Sequence, residues 1–384
     1  IKANIQQGFA SVKETRKLDK MASGLWLSAK AAAQLQSPAE LADFKQLLQD
    51  VGVCLTSLNG FPYGDFHQQQ VKQRVYLPDW SSSERLAYSR NLAAILAACL
   101  PEDITHGAIS SLPLGYQANW DNNKQQQAIK QLLDLNLYLG ELEQKTGKRI
   151  LLCLEMEPDC VLESTHQLIQ FFDELTQVNK GSLEYIGVCF DVCHQAVMHE
   201  DVYHSLNRIY HANIPIGKIQ ISNAISVDVE QLKQADSPLR RLLWQYAEAK
   251  YLHQVKAQNR HGDVVAWPDL SLALEQIEAD VSYLDQLTSW RIHFHVPLNC
   301  AALNHSALTT HQHDLRRVFD FLAEFDASLD ASHDVLKPWL EVETYSWNVL
   351  PEVLQPQTES ALVDGIAAEL NWLEQQLRQQ GLMS

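Results

Sequence analysis

The chain has 384 residues, of which 46% are apolar and 20% charged, a composition that supports a large buried core and argues against wholesale disorder. It carries 30 Lys and Arg against 47 Asp and Glu, a net charge of −17. Because a surface this acidic repels phosphate backbones and anionic lipids, we expect neither a nucleic acid nor a membrane as a partner.

The cysteines predict a reducing compartment. The chain has 7, an odd number, and Cys54, Cys153 and Cys189 lie inside apolar runs. Cys189 and Cys193 are too far apart in sequence for the C-x₂-C pair of a zinc ribbon. We therefore expect unpaired cysteines that behave as small hydrophobic residues, and a cytoplasmic location.

Short apolar runs alternate along the chain with segments whose apolar residues recur every three to four positions. The runs predict eight strands, at 25–28, 53–58, 106–112, 150–155, 185–191, 218–222, 291–296 and 339–344. The segments predict amphipathic helices, notably at 86–100, 127–145, 164–178 and 315–325. Eightfold strand–helix alternation predicts an α/β fold, a parallel (β/α)₈ TIM barrel formed by one domain over 1–384. A doubly wound sheet is the alternative, but no G-x-G-x-x-G follows the first strand.

Two long connections are expected to cover the carboxyl face of the barrel, where active sites of this class lie. The first, 59–103, begins with NGFPYGDFH and continues to VYLPDW. The second, 223–290, is predicted to be an inserted helical loop with a helix over 238–258. A closing helix is predicted at 358–380.

The carboxyl ends of the later predicted strands are rich in acids and imidazoles. These strand-end residues are Glu155, Glu157, Asp191, His194, His293, His295, Glu341 and Glu343. Side chains alternate along a strand, so Glu341 shares a face with Glu343, and His293 shares one with His295. We expect both pairs to face the barrel axis and to converge on one small volume.

Buried carboxylates need compensation, and a divalent cation is the simplest compensator. Glu155, Asp191, His295 and Glu341 together form a mixed oxygen and nitrogen ligand set that suits Mn²⁺, Mg²⁺, Co²⁺ or Zn²⁺. The alternative is that such residues are satisfied polar groups. Glu157 could pair with Arg291 or Lys218, and His194 could simply begin a helix.

Other catalytic signatures are missing from the sequence. It contains no P-loop, no G-x-S-x-G and no H-E-x-x-H, which disfavours a serine hydrolase. Lys218 is conceivable as a Schiff-base lysine, but it begins its strand and is expected to point away from the active face.

The strand ends resemble the xylose-isomerase-like superfamily of metal-dependent barrels, which includes sugar isomerases, epimerases and endonuclease IV. The segment LEMEPD with Glu155, the segment FDVCH with Asp191 and His194, and the final acidic strand LEVET all fit its pattern. The resemblance implies a further ligand on the sixth strand. Gln220 stands there, where the superfamily usually has His or Asp.

More closely, the chain resembles the EboE-type metabolite traffic proteins. The motifs that carry this resemblance are NGFPYGDFH, VYLPDW, EPDC, GVCFDVCHQAV, YLHQV, RIHFHVP and LEVETYSWNVLP. They extend over roughly 59–351 and are quite specific together, whereas the first 25 residues show no match. The resemblance implies a barrel of the sugar phosphate isomerase/epimerase type, associated with handling a secondary-metabolite precursor.

These patterns lead to a hypothesis of a metal-dependent isomerase or epimerase that acts on a small polyhydroxylated or keto metabolite through an enediolate. The metal ligands would be Glu155, Asp191, Glu341 and either His295 or Gln220. Glu157 and Glu343 would move the proton, with His194 or His293 orienting them. One alternative is a metabolite carrier without catalysis, and a less favoured one is an endonuclease-IV-like phosphodiesterase.

Overall fold

The computed structural model describes residues 2–64, 72–178, 183–234, 237–328 and 336–383. Seven of the described strands form one parallel sheet, in the order β1 to β6 and then β12. They are β1 (Met21–Trp26), β2 (Val53–Asn59), β3 (His106–Ser111), β4 (Arg149–Glu155), β5 (Ile186–Asp191), β6 (Ile216–Ile221) and β12 (Trp339–Val342). This sheet curls into a nearly closed barrel, which confirms the predicted α/β barrel class.

Helices surround this sheet and lie between its strands. They are α1 (Ala10–Thr15), α2 (Ala29–Gln34), α3 (Pro38–Val51), α4 (Ser83–Cys99), α5 (Asn122–Thr146), α6 (Thr165–Val178), α7 (Val192–Val197), α8 (Val202–His211), α9 (Val229–Lys233), α10 (Pro238–Leu243), α11 (Leu270–Ala279), α12 (Gln312–Ser328) and α13 (Glu359–Gln379). The predicted amphipathic segments are found in α4, α5, α6 and α12, and the predicted closing helix is α13. None of the described helices is both long and apolar enough to cross a membrane.

Local chemistry sets the helix boundaries. The side chains of Ser82 and Asp121 accept hydrogen bonds from backbone N–H groups in the first turns of α4 and α5. Gly147 ends α5 in the left-handed conformation, with φ of +69°, which a glycine adopts without a Cβ penalty. Each helix is therefore fixed at the length that its strand-to-strand crossover needs.

Five further strands form a separate antiparallel sheet, in the order β11-β7-β10-β8-β9. They are β7 (Ile225–Val227), β8 (Val255–Asn259), β9 (Val264–Trp267), β10 (Leu287–Ile292) and β11 (Leu308–Thr310). This sheet has a hydrophobic core of its own, in which Trp267 stacks on Trp290 at 5.2 Å between ring centroids. That the whole chain is one domain stays a prediction.

Two predictions about this region were wrong in detail. The predicted seventh barrel strand, 291–296, belongs instead to the antiparallel sheet, because β10 pairs with β7 and β8 and ends at Ile292. The predicted helix over 238–258 ends at Leu243, and Val255–Asn259 forms β8. Alternation of apolar residues indicates a strand but does not tell a parallel neighbour from an antiparallel one.

The barrel wall has one open place. Among the described residues, no strand ladder joins β12 to β1, although each is paired along its other edge. A Cβ at Gly24 in β1 would overlap the carboxylate of Glu341 in β12. The Glu341 side chain therefore lies against the β1 backbone where a strand ladder would otherwise close the wall.

Candidate metal centre

A cavity of about 230 Å³ lies at the carboxyl ends of the barrel strands. Acids, imidazoles and aromatic rings line it together, among them Trp26, Asn59, Phe61, Tyr76, Glu155, Glu157, His194, Tyr251, His293, His295, Glu343 and Tyr345. The barrel supplies the acids, and the chain that leaves the antiparallel sheet supplies His293 and His295. These two histidines therefore reach the site from β10 rather than from a barrel strand.

Three carboxylates converge at this cavity. Glu155 ends β4, Asp191 ends β5 and Glu343 follows β12, and each offers an oxygen that lies within 4.8 Å of the other two. Burial and the neighbouring Glu343 and Asp191 carboxylates raise the pKa of Glu155 well above its usual range. Burial and Asp191 raise the pKa of Glu343 in the same direction. The group therefore holds more negative charge than its surroundings can stabilise.

The hydrogen bonds of three histidines fix where their lone pairs point. Nδ1 of His194 and Nδ1 of His295 lie 2.7 Å and 2.8 Å from backbone carbonyl oxygens, and Nδ1 of His293 lies 2.7 Å from the side-chain oxygen of Gln254. A carbonyl oxygen only accepts, so each Nδ1 carries a proton, and a neutral ring bound in this way keeps its lone pair on Nε2. Burial lowers the pKa of His293 and lowers that of His295 to about 4, which keeps both rings neutral.

Five buried polar atoms at the site have no hydrogen-bond partner among the described residues. They are Glu155 Oε2, Asp191 Oδ2, Glu343 Oε2, His293 Nε2 and His295 Nε2. All five are acceptors once the tautomers are fixed, and leaving one buried acceptor unsatisfied costs about 1–3 kcal/mol. A divalent cation would satisfy several acceptors at once, so the residues present fit a bound metal ion.

The spacing of these atoms also suits one cation. Asp191 Oδ1 lies 3.9 Å from His194 Nε2, and Asp191 Oδ2 lies 4.0 Å from His295 Nε2. Metal–ligand bonds to oxygen and nitrogen are about 2.0–2.2 Å, so two ligands of one ion lie up to about 4 Å apart. Ser222 donates a hydrogen bond of 2.8 Å to Asp191 Oδ1 and so orients that carboxylate.

Glu157 lies at the end of a hydrogen-bond chain that the sequence did not predict. Tyr76 donates to Glu157 Oε1 at 2.7 Å, and Gln254 Nε2 donates to the Tyr76 hydroxyl at 3.1 Å. Gln254 Oε1 also accepts a hydrogen bond from the Nδ1–H group of His293. Tyr76 belongs to the motif VYLPDW and Gln254 to the motif YLHQV. Neither residue was predicted to contribute to the site. Burial raises the pKa of Glu157, which in the described residues pairs with neither Arg291 nor Lys218.

Two of the predicted ligands are not brought into this cluster. Glu341 Oε2 binds Lys218 Nζ at 3.0 Å and accepts from Ser57 Oγ at 2.5 Å. Gln220 is fully buried, and its Oε1 lies 3.2 Å from Cys189 Sγ. Glu341 and Glu343 share the inward face of the strand, but Glu341 lies nearer the amino end, where it is the register partner of Gln220 in β6.

Lys218 lies inside the barrel, fully buried, and is not among the residues that line the cavity at the carboxyl face. Burial by itself lowers the pKa of Lys218, but the nearby acidic groups, first among them Glu341, together outweigh burial and raise it. The lysine is therefore a cation committed to Glu341. Of the other predicted positions, NGFPYG contributes Asn59, Phe61 and Pro62 to the cavity, and 65–71 lie outside the described residues.

No protein-family model and no curated protein matches this chain. Solved structures match its fold. A xylose isomerase domain protein from Planctomyces limnophilus is 11% identical, with a TM-score of 0.50, and the match covers 96% of this chain and 92% of that one. An L-ribulose 3-epimerase is 12% identical, also with a TM-score of 0.50, over 99% of this chain and 92% of its own. The chain therefore has the fold of the xylose isomerase-like TIM barrels.

Proposed function

We propose that this protein is a metal-dependent isomerase or epimerase that acts on a small polyhydroxylated or keto metabolite. The observation that carries the proposal is the set of five buried acceptor atoms at the carboxyl end of the barrel that have no partner among the described residues. Acceptors without donors are the arrangement that a cation completes. The fold shared with an epimerase supports the same class of reaction.

In this proposal Glu155, Asp191, Glu343 and His295 hold the metal. Glu343 takes the position that the resemblance gave to Glu341, because Glu341 is already paired with Lys218. A bound divalent cation supplies Lewis acidity, which draws electron density from a substrate carbonyl or hydroxyl oxygen. His194 and His293 are bound to carbonyl oxygens through Nδ1, which leaves the Nε2 atoms of both rings to contact substrate hydroxyls.

Glu157 is the proposed proton carrier. Tyr76 occupies its Oε1, which leaves Oε2 to take a proton from the substrate carbon and to return it to the neighbouring carbon through an enediolate. Burial raises the pKa of Glu157, which makes its carboxylate a stronger base than an exposed one. Aromatic rings such as Trp26 and Phe61 help to exclude water from the cavity.

The finer assignment is to the EboE-type metabolite traffic proteins, on the motifs quoted above. A small-molecule partner is supported by the cavity of about 230 Å³, and the net charge of −17 argues against nucleic acid and anionic membranes. All seven cysteines are free, which supports a reducing, cytoplasmic compartment.

The test is proton exchange. Protein loaded with Mn²⁺, Co²⁺, Zn²⁺ or Mg²⁺ is incubated with keto sugars and polyols in D₂O, and deuterium incorporation is followed by NMR. We expect exchange at one carbon next to a carbonyl, lost in Glu157→Gln and kept in Asp173→Asn, which changes an exposed acid.

Metal content is measured in the same samples. Full metal binding with saturable binding of a metabolite but no exchange in wild type would contradict the enzyme and leave a carrier. Exchange that survives in Glu157→Gln would contradict the role given to that residue.

A further inference from the structure

A second cavity, of about 480 Å³, lies at the open place in the barrel wall between β1 and β12. We call it the side cavity. These two strands, the helical segment 4–15 and α13 form its walls. Its apolar residues include Phe9, Met21, Val342, Val363 and Ile366. The volume lies within the range of roughly 300–1,000 Å³ that is typical of small-molecule sites.

The side cavity is distinct from the metal centre. Its lining shares no residue with that of the first cavity. Two acids in its lining, Glu341 and Glu369, are not used by the proposed reaction, and Lys218 is buried behind Glu341. Glu369 is fully buried and accepts hydrogen bonds from Thr344 Oγ1 at 2.6 Å and Trp347 Nε1 at 3.0 Å.

The outer wall of the side cavity is held in place. The Trp347 ring lies directly over Gly365 of α13, where a Cβ would come within 2.8 Å of the ring. Its indole N–H is bound to Glu369 on the same helix. The apolar side of the cavity is therefore a built surface of strand, indole and helix rather than loosely packed side chains.

The inner end of the cavity offers one free acceptor. Lys218 and Ser57 both contact Oε2 of Glu341, and among the described residues no hydrogen bond to Oε1 is found. The Glu341 side chain keeps 21% of its surface exposed, although it reaches into the barrel. A ligand that donates a hydrogen bond would complete this carboxylate.

The charges of the lining select the ligand further. The described lining includes Glu341, Glu359 and Glu369 but no Lys, Arg or His. An anionic head group would meet carboxylates without a cation in the lining, and like charges in a poorly hydrated cavity repel strongly. A neutral or cationic head group that donates a hydrogen bond would not be repelled by these carboxylates.

We propose that the side cavity binds an amphiphile, a molecule with an apolar body and a hydrogen-bond-donating head group, either a hydroxyl or an ammonium. Its body packs between Val342, Trp347 and α13, and its head donates to Glu341 Oε1. The site is independent of the reaction at the metal centre.

The test uses three probes with the same chain and different heads: 1-octanol, octylamine and octanoate. Isothermal titration should show saturable binding of octanol and octylamine, and binding of octanoate weaker by about tenfold or more, because of the repulsion described above. Equal binding of octanoate, or no saturable binding of any probe, would overturn the proposal.

Variants locate the site. Val363→Phe fills the cavity and should weaken octylamine binding about tenfold or more, because the added ring occupies the volume of the chain. Ala368→Phe adds the same kind of bulk on the exposed face of α13 and should leave binding unchanged. Leu362→Phe serves if Val363→Phe does not fold, as judged by circular dichroism.

The head-group contact is tested with the double variant Lys218→Met/Glu341→Gln, which removes both charges together. It should weaken the preference for octylamine over octanoate, while Glu359 and Glu369 remain in the lining. An unchanged preference, or unchanged binding in the filled variants, would place the probes elsewhere. Metal content should be the same in wild type and Val363→Phe, which separates this site from the metal centre.

Discussion

Two clusters of buried charge lie inside this barrel, and the segment that contains β12 contributes one glutamate to each of them, Glu341 and Glu343. The lower one, the lysine cluster, consists of Lys218, Glu341 and Ser57, and its carboxylate is bound by an ammonium and a hydroxyl. The upper one, at the metal centre, includes Glu155 and Glu343, each with a buried oxygen that has no partner among the described residues.

The difference lies in where the compensating cation comes from. In the lysine cluster the chain supplies it. At the metal centre Lys218 lowers the pKa of Glu155 and Glu343 only in part, and burial and mutual repulsion still raise both. Strand-end acids therefore indicate a metal site only where their oxygens remain unbound by the protein itself.

The largest expected effect comes from breaking the lysine cluster. Lys218→Met should lower the free energy of unfolding by about 3 kcal/mol, because it leaves the Glu341 carboxylate half inside the barrel without its cation. Urea unfolding measures the change. The double variant Lys218→Met/Glu341→Gln should recover most of the loss, and a double variant no more stable than the single one would contradict the pairing.

The opposite sign is expected at the metal centre. In metal-free protein, Glu343→Gln should raise the free energy of unfolding, because burial and the neighbouring Asp191 carboxylate disfavour the charged form of Glu343. Urea unfolding in the presence of a chelator measures this gain. With metal present the same variant should be less stable than wild type. Destabilisation under both conditions would contradict an uncompensated cluster.

The smallest expected effect is a loss of stability at acidic pH. Burial lowers the pKa of His199 from 6.5 to about 4, so its contribution to stability is present above pH 6.5 and is lost as the pH falls towards 4. The raised glutamate pKa values act in the other direction, because protonation relieves their repulsion. Because of His199, we expect the free energy of unfolding to fall by about 1 kcal/mol between pH 7 and pH 5, a value reduced because this side chain is partly exposed.

His199→Asn isolates this contribution. His199 has φ of +60°, and asparagine tolerates that conformation better than most residues. Unfolding at pH 7 and pH 5 should show a smaller acid loss in His199→Asn than in wild type, and no change in His166→Asn, which alters an exposed histidine. Equal acid loss in all three proteins would contradict the assignment.

The sequence predicted the barrel because its strands are continuous apolar runs. The run RILLCLE in β4 and the run IGVCFD in β5 are almost entirely buried, as central parallel strands require. The segment 291–296 looked like another such strand. Its true neighbours are antiparallel strands from the long insertion, and pairing partners are not encoded in the periodicity of one segment.

The candidate site was predictable in its residue types and less so in its partners. Alternation placed Glu341 and Glu343 on one face correctly, but it does not say which of them meets a lysine from another strand. Tyr76 and Gln254 had no spacing that marks a site, because they reach Glu157 from a short 3₁₀ helix (Lys72–Tyr76) and from the residue just before β8.

The central claim is that the upper cluster holds a divalent cation. Elemental mass spectrometry of protein purified without chelator or affinity-tag metal tests it directly, in wild type, Glu155→Ala and the exposed-acid control Glu102→Ala. We expect about one Mn, Co, Zn or Mg per chain in wild type and control, and its loss in Glu155→Ala. Folded wild-type protein that takes up no metal even after loading would contradict it.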